Sequence, residues 1–167
     1  YLQPTVAKYV AQLGEALKSD APHAVVGINQ SSGGLMSIER TRSYPIRTAL
    51  SGPAAGVVGA IHAARLSERP DIITLDMGGT SADICLIRNF AVSSSVGREV
   101  AGFPIRLPMV DINTVGAGGG SIAWFERDGL LKVGPTSAGA DPGPAGYGRG
   151  GDQPTVSDAN FILGRLS

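Results

Sequence analysis

The chain has 167 residues, 43% of them hydrophobic and 17% charged, a balance that excludes a disordered protein and predicts a globular domain with its own core. Lysine and arginine together number 14, as do aspartate and glutamate, and this balanced charge excludes a general nucleic-acid binder. The uncharged stretch at residues 48–64 is short and broken by Gly52, Pro53 and Gly56, so we expect neither a membrane span nor a membrane partner.

The single cysteine and the first residue bear on the setting of the chain. Cys85 lies in an apolar strand pattern and can form no internal disulfide, which fits a reducing compartment, so we expect a cytoplasmic protein. Its simplest interpretation is a small buried hydrophobic side chain. The chain opens at Tyr1 without an initiator methionine. We therefore expect an internal fragment of a longer protein, forming one domain over residues 1–167 and inactive when isolated.

The first elements are a helix, a short strand and a turn. Residues 4–18 carry apolar side chains at close to helical spacing, which predicts one amphipathic helix. Residues 24–28 predict a short buried strand. The polar, glycine-containing residues 29–34 predict a turn, either facing a ligand or lying plainly on the surface.

Two further segments precede the middle of the chain. Residues 37–43 predict one or two helical turns, and residues 44–46 predict extended backbone because a residue before proline avoids helical angles. Residues 51–64 predict a helix rich in small side chains. Gly56 and Gly59 lower its helix propensity, so we expect another backbone or a ligand to come close there.

The most informative segment is a pair of apolar strands joined by two glycines. Residues 71–75 and 84–87 are mostly apolar and partly β-branched, and Gly78 and Gly79 lie between them. This pattern predicts two strands joined at a glycine turn. An ordinary hairpin is one interpretation of such a turn, and a ligand-binding loop is the other.

The polar residues around this turn favour a phosphate site. Asp76, at a strand end, can reach a hydrated divalent cation, and Thr80 can donate a hydrogen bond. Gly78 and Gly79 permit positive φ angles and let the main chain approach a phosphate closely. Asp83 supplies a second carboxylate.

The second half predicts a small sheet, a second glycine cluster and a last helix. The cluster at residues 116–121 is, like the first, not followed by Gly-Lys-Ser/Thr, so a Walker phosphate loop is disfavoured. Residues 155–163 predict a helix with Thr155 or Ser157 as its cap. Strands are predicted at residues 90–96, 105–110 and 122–125.

A glycine- and proline-rich segment at residues 134–154 precedes the last helix. Its composition is typical of a flexible linker. It also contains Asp141, Tyr147 and Arg149, which a solvated linker does not need. A linker and an ordered loop that faces a ligand both remain open.

Four segments in the same order resemble the hydantoinase A/oxoprolinase family of the actin-like ATPase superfamily. They are SGPAAGVVGA at 51–60, DMGGTSAD at 76–83, VGAGGGSIAW at 115–124 and SAGADPGPA from 137. The resemblance implies an α/β, ribonuclease H-like fold: a mixed sheet with antiparallel hairpins, flanked by helices. Members usually carry cysteine where this chain has Gly146, so a role for that thiol is not expected here.

The resemblance also implies an activity. Family members use ATP to phosphorylate the amide oxygen of a hydantoin or 5-oxoproline ring, which lets water open the ring. It implies ATP with Mg²⁺ or Mn²⁺, a cyclic amide substrate, a partner subunit or domain of the hydantoinase B type, and an oligomer. The ATPase subunit of a ketone carboxylase resembles the same family, and a nucleotide-binding module without chemistry is a third alternative.

Site residues follow from the positions that match the family motifs. Asp76 and Asp83 are the implied catalytic residues, and Asp76 is also the implied metal ligand. The implied nucleotide contacts are Gly78, Gly79, Thr80, Ser81, Gly118, Gly119 and Gly120.

Overall fold

A computed structural model of the chain describes residues 3–100 and 102–166. The helices are α1 (Gln3–Asp20), α2 (Ile38–Ser43), α3 (Ser51–Leu66) and α4 (Val156–Ile162), with 3₁₀ turns at Pro45–Thr48 and Ala145–Tyr147. The strands are β1 (Ile28–Asn29), β2 (Leu35–Met36), β3 (Ile72–Met77), β4 (Ala82–Arg88), β5 (Ala91–Val92), β6 (Ser94–Ser95), β7 (Arg98–Val100), β8 (Phe103–Ile105), β9 (Met109–Val110), β10 (Asn113–Val115), β11 (Ser121–Phe125) and β12 (Leu131–Ser137).

The described residues form two compact units. One comprises the chain up to Thr74 together with Cys85–Ile112, and the other comprises Leu75–Ile84 together with the chain from Asn113 onward. The hairpin of β3 and β4 contributes residues to both units. The single domain expected over residues 1–167 therefore stays a prediction.

The core of the first unit lies between α3 and the base of the β3–β4 hairpin. Ala54 and Val57, three positions apart on α3, are buried together on one face. Full burial of a side chain such as Ile87, at 0% exposure, contributes about 2 kcal/mol. The buried members of this core are Ala54, Val57, Cys85, Ile87, Val110 and Ile112.

Cys85 behaves as a structural residue of this core. Its Sγ lies 3.3 Å from the carbonyl oxygen of Asp111. Burial, and then the negative charge of Asp111, raise the pKa of the Cys85 thiol, so the thiol stays protonated at neutral pH. The interpretation of Cys85 as a small buried side chain fits this geometry.

The sheet that carries the hairpin has β4 at its centre. β4 lies between β10 and β3, and its far end pairs with β5. β11 and β12 form a second antiparallel pair in the second unit. The sequence predicts a mixed sheet with antiparallel hairpins. The antiparallel hairpins are present in the described residues.

No helix within the described residues combines the length and apolar character that crossing a membrane requires.

Several strand predictions are wrong in detail. The strand predicted at residues 24–28 is reduced to β1, because Val25 is 99% exposed and has no core to pack against. The strand predicted at 90–96 is divided between β5 and β6, which pair with different neighbours. The strand predicted at 105–110 is interrupted before β9, where Pro108 lacks the N–H that a ladder needs.

Two further expectations differ from the structure, and a third stays open. The extended segment predicted at residues 44–46 contains the start of a 3₁₀ turn at Pro45, a position where the missing proline N–H costs nothing. Gly56 and Gly59 are exposed on α3, and a Cβ at Gly59 would meet no described atom within 4 Å, so the close approach of a ligand there stays a prediction. The loop predicted from residue 134 begins later, because β12 runs to Ser137.

The last helix is held by a capping box. The Thr155 hydroxyl accepts the Asp158 N–H at 3.3 Å, while the Asp158 carboxylate accepts the Thr155 N–H at 2.8 Å. The same carboxylate accepts the N–H of Gly146 at 2.7 Å. Partial burial opposes the charged form of Asp158, but these hydrogen bonds together lower its pKa below the ordinary value.

This capping predicts an acid-dependent loss of stability. Because the pKa of Asp158 is lowered in the folded state, its stabilising effect is present above the unfolded pKa and is lost as pH falls through the folded pKa. Asp158→Asn should lower the free energy of unfolding by about 1 kcal/mol at pH 7 and by less at pH 3, measured by urea unfolding of the intact protein. Asp152→Asn, at an exposed carboxylate beside Gln153, is the control. An equal loss at both pH values would contradict this assignment.

Candidate functional site

The turn predicted between β3 and β4 is present at residues 78–81. The N–H of Gly78 donates to the carbonyl oxygen of Ser81 at 2.9 Å, which closes the turn. Within the described residues, the N–H groups of Gly79, Thr80 and Ser81 have no hydrogen-bond acceptor. Thr80 is exposed and Ser81 is half-buried. The turn therefore has backbone donors without an acceptor in the described chain, although Gly118 packs close to the Thr80 and Ser81 nitrogens.

The two glycines of the turn are not required by backbone strain. Glycine permits positive φ angles, but neither Gly78 nor Gly79 adopts the left-handed region. A Cβ on Gly79 would meet nothing within 4 Å, and one on Gly78 would lie at an ordinary 3.6 Å from the Ser81 carbonyl oxygen. The described chain thus has room for side chains at both positions. Because glycine has no side chain, the main chain at Gly78 and Gly79 can be approached closely by a ligand.

The second glycine cluster packs directly against this turn. The N–H of Gly119 donates to the Gly78 carbonyl at 2.8 Å, and the N–H of Gly120 donates to the Gly79 carbonyl at 2.7 Å. The N–H of Gly118 donates to the Ser121 hydroxyl oxygen at 2.8 Å. All three N–H groups are therefore engaged within the chain. Direct contact of Gly118, Gly119 and Gly120 with a nucleotide stays a prediction, and their observed contacts support the turn.

Gly118 is the position where the packing leaves no room. A Cβ there would lie 2.6 Å from the Gly78 carbonyl oxygen, 2.6 Å from the Ser81 nitrogen and 2.7 Å from the Thr80 nitrogen. Such distances are shorter than real Cβ contacts, and all three neighbours are backbone atoms that cannot rotate away. Only glycine at this position allows the two clusters to meet.

Three serines that were not predicted as site residues hold the same backbone. Ser121 is buried and accepts the Gly118 N–H. The Ser137 hydroxyl donates to the Gly79 carbonyl at 3.4 Å, and the N–H of Ser157 donates to the Gly119 carbonyl at 2.8 Å. Ser121 and Ser137 lie within the segments that resemble the family motifs, and this position is the one sequence feature that connects them with the site. Ser157 is brought here by the packing of α4.

Asp76 and Asp83 project from one face of the hairpin. Side chains alternate along a strand, so Asp76 shares a face with Ile72, and Asp83 shares a face with Cys85. Ile72 packs against the core cluster that contains Cys85, which places both sets on the same side. Asp76 is exposed, with no hydrogen-bond partner among the described residues, and Asp83 is half-buried. The face that ends at the turn therefore carries two carboxylates.

A third polar residue joins this face from the neighbouring strand. Thr114 of β10 lies directly opposite Asp83 in the antiparallel register. The Thr114 hydroxyl donates to Asp83 Oδ1 at 2.6 Å. That length lies in the ordinary range for a hydrogen bond between two oxygen atoms. Thr114 carries no local signal in the sequence, because the pairing joins residues 31 positions apart.

The donor set suits a hard cation that keeps other ligands. The residues near the turn supply oxygen atoms alone: the carboxylates of Asp76 and Asp83 and the hydroxyl groups of Thr80 and Ser81. No group of three or more histidine, cysteine, aspartate or glutamate side chains gathers anywhere in residues 3–100 and 102–166. Mg²⁺ is commonly bound by one or two carboxylates together with water and phosphate oxygens, so these residues fit it.

The glycine- and proline-rich loop is ordered. Its Gly146 N–H is bound by Asp158, and the Arg149 guanidinium donates to the Ala140 carbonyl at 3.4 Å. Asp141, Tyr147 and Arg149 are exposed. These contacts argue against a flexible linker. The alternative that the loop faces a ligand stays a prediction.

Gly146 lies where a larger residue would be crowded. A Cβ at this position would lie 3.0 Å from the Phe161 ring and 3.2 Å from Asp158 Oδ1. The cysteine that the family usually carries here would therefore require Phe161 to move. This chain has glycine at this position together with close packing of the loop on α4.

Comparison with known proteins places the chain in a family. The sequence profile of the Hydantoinase/oxoprolinase family matches residues 1–167. Caprolactamase subunit alpha of Pseudomonas jessenii is 38% identical over 167 residues, which is 100% of this chain and 24% of that relative. The 5-oxoprolinase of Saccharomyces cerevisiae is 40% identical over 170 residues, which is 99% of this chain and 13% of that relative.

Solved structures agree with the sequence relatives. The crystal structure of the ATP-dependent caprolactamase from Pseudomonas jessenii matches with a TM-score of 0.80 and 37% identity, covering 100% of this chain and 24% of that one. Nucleotide-free acetone carboxylase matches with a TM-score of 0.73 and 28% identity, covering 97% and 23%. The chain thus spans about a quarter of these proteins. The predicted α/β, ribonuclease H-like class is confirmed, and this chain belongs to the hydantoinase/oxoprolinase family.

Proposed function

We propose that this chain is part of the nucleotide-binding core of an ATP-dependent enzyme that phosphorylates and opens a cyclic amide ring. The observation that carries the proposal is the turn at residues 78–81. Its donors at Gly79, Thr80 and Ser81 have no partner among the described residues, while its carbonyl groups are fixed by the second glycine cluster. A rigid turn whose N–H groups lack an acceptor within the described chain is suited to hold phosphate oxygens.

The side chains around the turn receive roles in this proposal. Asp76 holds Mg²⁺ or Mn²⁺ beside the phosphates, and Thr80 and Ser81 donate hydrogen bonds to phosphate oxygens. Asp83 accepts a hydrogen bond from a reacting group or an ordered water on the same face. When bound, ATP supplies the phosphoryl group that turns the amide oxygen into a good leaving group. The chain's own contribution is to position and neutralise these charges.

A second candidate function has a specific observation in its favour. Acetone carboxylase is among the similar structures, so the chain could belong to the ATPase subunit of a ketone carboxylase. We favour the cyclic amide because the caprolactamase match has both the higher identity and the higher TM-score. A nucleotide-binding module without chemistry is the third candidate.

The setting of the enzyme is part of the same proposal. The relatives include proteins described as a subunit, which supports a multi-subunit assembly. We propose a partner subunit or domain of the hydantoinase B type, within an oligomer. A cytoplasmic location is supported by the free, buried thiol of Cys85.

The test compares two substrate classes in the intact enzyme. ATP consumption should depend on a cyclic amide such as a hydantoin, 5-oxoproline or a lactam, measured as ADP release together with ring opening. Dependence on a ketone with bicarbonate would instead establish the second candidate. ATP consumption that neither substrate stimulates would reject both enzymatic functions and favour a nucleotide-binding module.

A further inference from the structure

We propose that Thr114 is a positioning residue that fixes the carboxylate of Asp83 for the reaction at the turn. This inference rests on the proposed function, because it assigns a role within the same site. The two residues are cross-strand neighbours in β4 and β10, and the Thr114 hydroxyl donates to Asp83 Oδ1 at 2.6 Å. Neither the motifs nor the spacing of the sequence identifies Thr114.

The geometry leaves one carboxylate oxygen available. Asp83 is half-buried at the start of β4, close in sequence to the turn. The Thr114 hydroxyl binds Oδ1, and Oδ2 has no hydrogen-bond partner among residues 3–100 and 102–166. A carboxylate held at one oxygen cannot rotate freely about its Cβ–Cγ bond. The hydrogen bond from Thr114 thus sets the direction in which Oδ2 presents its lone pairs.

The strand pairing does not depend on this hydrogen bond. The register on either side is set by Asn113 opposite Ile84 and by Val115 opposite Ala82. Thr114 is exposed, and valine has nearly the same shape and an equal preference for strands. Thr114→Val therefore removes the donor and leaves the local fold intact. We therefore expect Thr114→Val to lower turnover without lowering the stability of the fold.

The expected effect is on turnover rather than on nucleotide affinity. In the intact enzyme, Thr114→Val should lower kcat by about 10-fold to 100-fold, because a misplaced catalytic group loses its alignment. The KM for ATP and the Kd for MgADP should change by less than about 3-fold, since Asp83 does not hold the phosphates in this proposal. Thr114→Ser keeps the hydroxyl and should recover most of the turnover. Thr136→Val, at an exposed threonine of β12, is the matched control and should behave as wild type.

A double-variant cycle tests whether Thr114 acts through Asp83. If Thr114 acts only by orienting the carboxylate, adding Thr114→Val to an Asp83→Asn enzyme should cause no further loss of kcat. Additive losses, failure of Thr114→Ser to recover turnover, or wild-type turnover in Thr114→Val would each overturn the inference. A rise in the Kd for MgADP as large as the fall in kcat would also overturn the inference, because it would show that Thr114 acts in nucleotide binding.

The assay separates this inference from the proposed function. If a ketone and bicarbonate stimulate ATP consumption, the substrate class of the proposed function is wrong. The Thr114 variants are then assayed with the ketone and bicarbonate, and the same changes in kcat and Kd are expected. An intact enzyme that consumes no ATP with either substrate would overturn both proposals. A wild-type enzyme active on a cyclic amide with an unaffected Thr114→Val variant would overturn the Thr114 inference alone.

Discussion

Asp76→Asn in the intact enzyme should lower ATP-dependent turnover by at least about 100-fold. The amide has no negative charge to hold the divalent cation against the phosphates, so the charge that develops during phosphoryl transfer is less well neutralised. Asp76 is exposed and, within the described chain, has no hydrogen-bond partner, so its loss should leave the fold unchanged. The measurements are kcat with the cyclic amide and the midpoint of thermal unfolding.

Asp71→Asn is the matched control, at the residue just before the same strand. Asp71 Oδ1 accepts the N–H of Asn89 at 2.9 Å, which is a structural contact. This variant should keep wild-type turnover, and any effect should fall on stability. Normal turnover in Asp76→Asn would remove Asp76 from the mechanism. A large loss of turnover in Asp71→Asn with unchanged stability would show that the assay does not isolate the site.

Gly118→Ala and Gly79→Ala should have opposite consequences. A Cβ at Gly118 would meet three backbone atoms at 2.6–2.7 Å, so Gly118→Ala should lower the free energy of unfolding by about 3 kcal/mol. A Cβ at Gly79 would meet no described atom within 4 Å, so Gly79→Ala should leave stability unchanged or slightly raised. If a phosphate lies against Gly79, however, this alanine should weaken nucleotide affinity. Urea unfolding and calorimetric titration with MgADP measure the two effects.

Two results would contradict this distinction. Full stability of Gly118→Ala would show that the two glycine clusters do not meet as the structure has them. Unchanged MgADP affinity of a stable Gly79→Ala enzyme would show that no ligand approaches the open side of the turn. The pair therefore separates the supporting role of one glycine from the ligand-facing role of the other.

The elements that the sequence predicts well are those set by local rules. The helix at residues 4–18 appears as α1 because its apolar spacing is regular, and the final helix begins after Thr155, one of the two predicted caps. The glycine turn between β3 and β4 also follows from a short segment, since apolar runs flank Gly78 and Gly79. Such patterns act over a few residues and need no knowledge of the rest of the chain.

The features that the sequence does not predict depend on contacts between distant residues. The contact of Gly118 with the turn joins segments about 40 positions apart, and the pairing of Thr114 with Asp83 depends on strand register. The predicted strand at residues 24–28 fails for the same reason, because burial of Val25 would require a partner surface that the described chain does not provide. Periodicity assigns side chains to the faces of an element within a short window, and it does not say which distant strands or loops pair.

A crystal structure of the intact enzyme with MgADP or a non-hydrolysable ATP analogue tests the central claim most directly. We predict a phosphate oxygen at about 3 Å from the backbone nitrogen of Gly79 or Thr80, with the cation near Asp76. The contacts of Gly119 and Gly120 with the turn should be unchanged from those described. A nucleotide bound with its phosphates far from residues 78–81 would contradict the account.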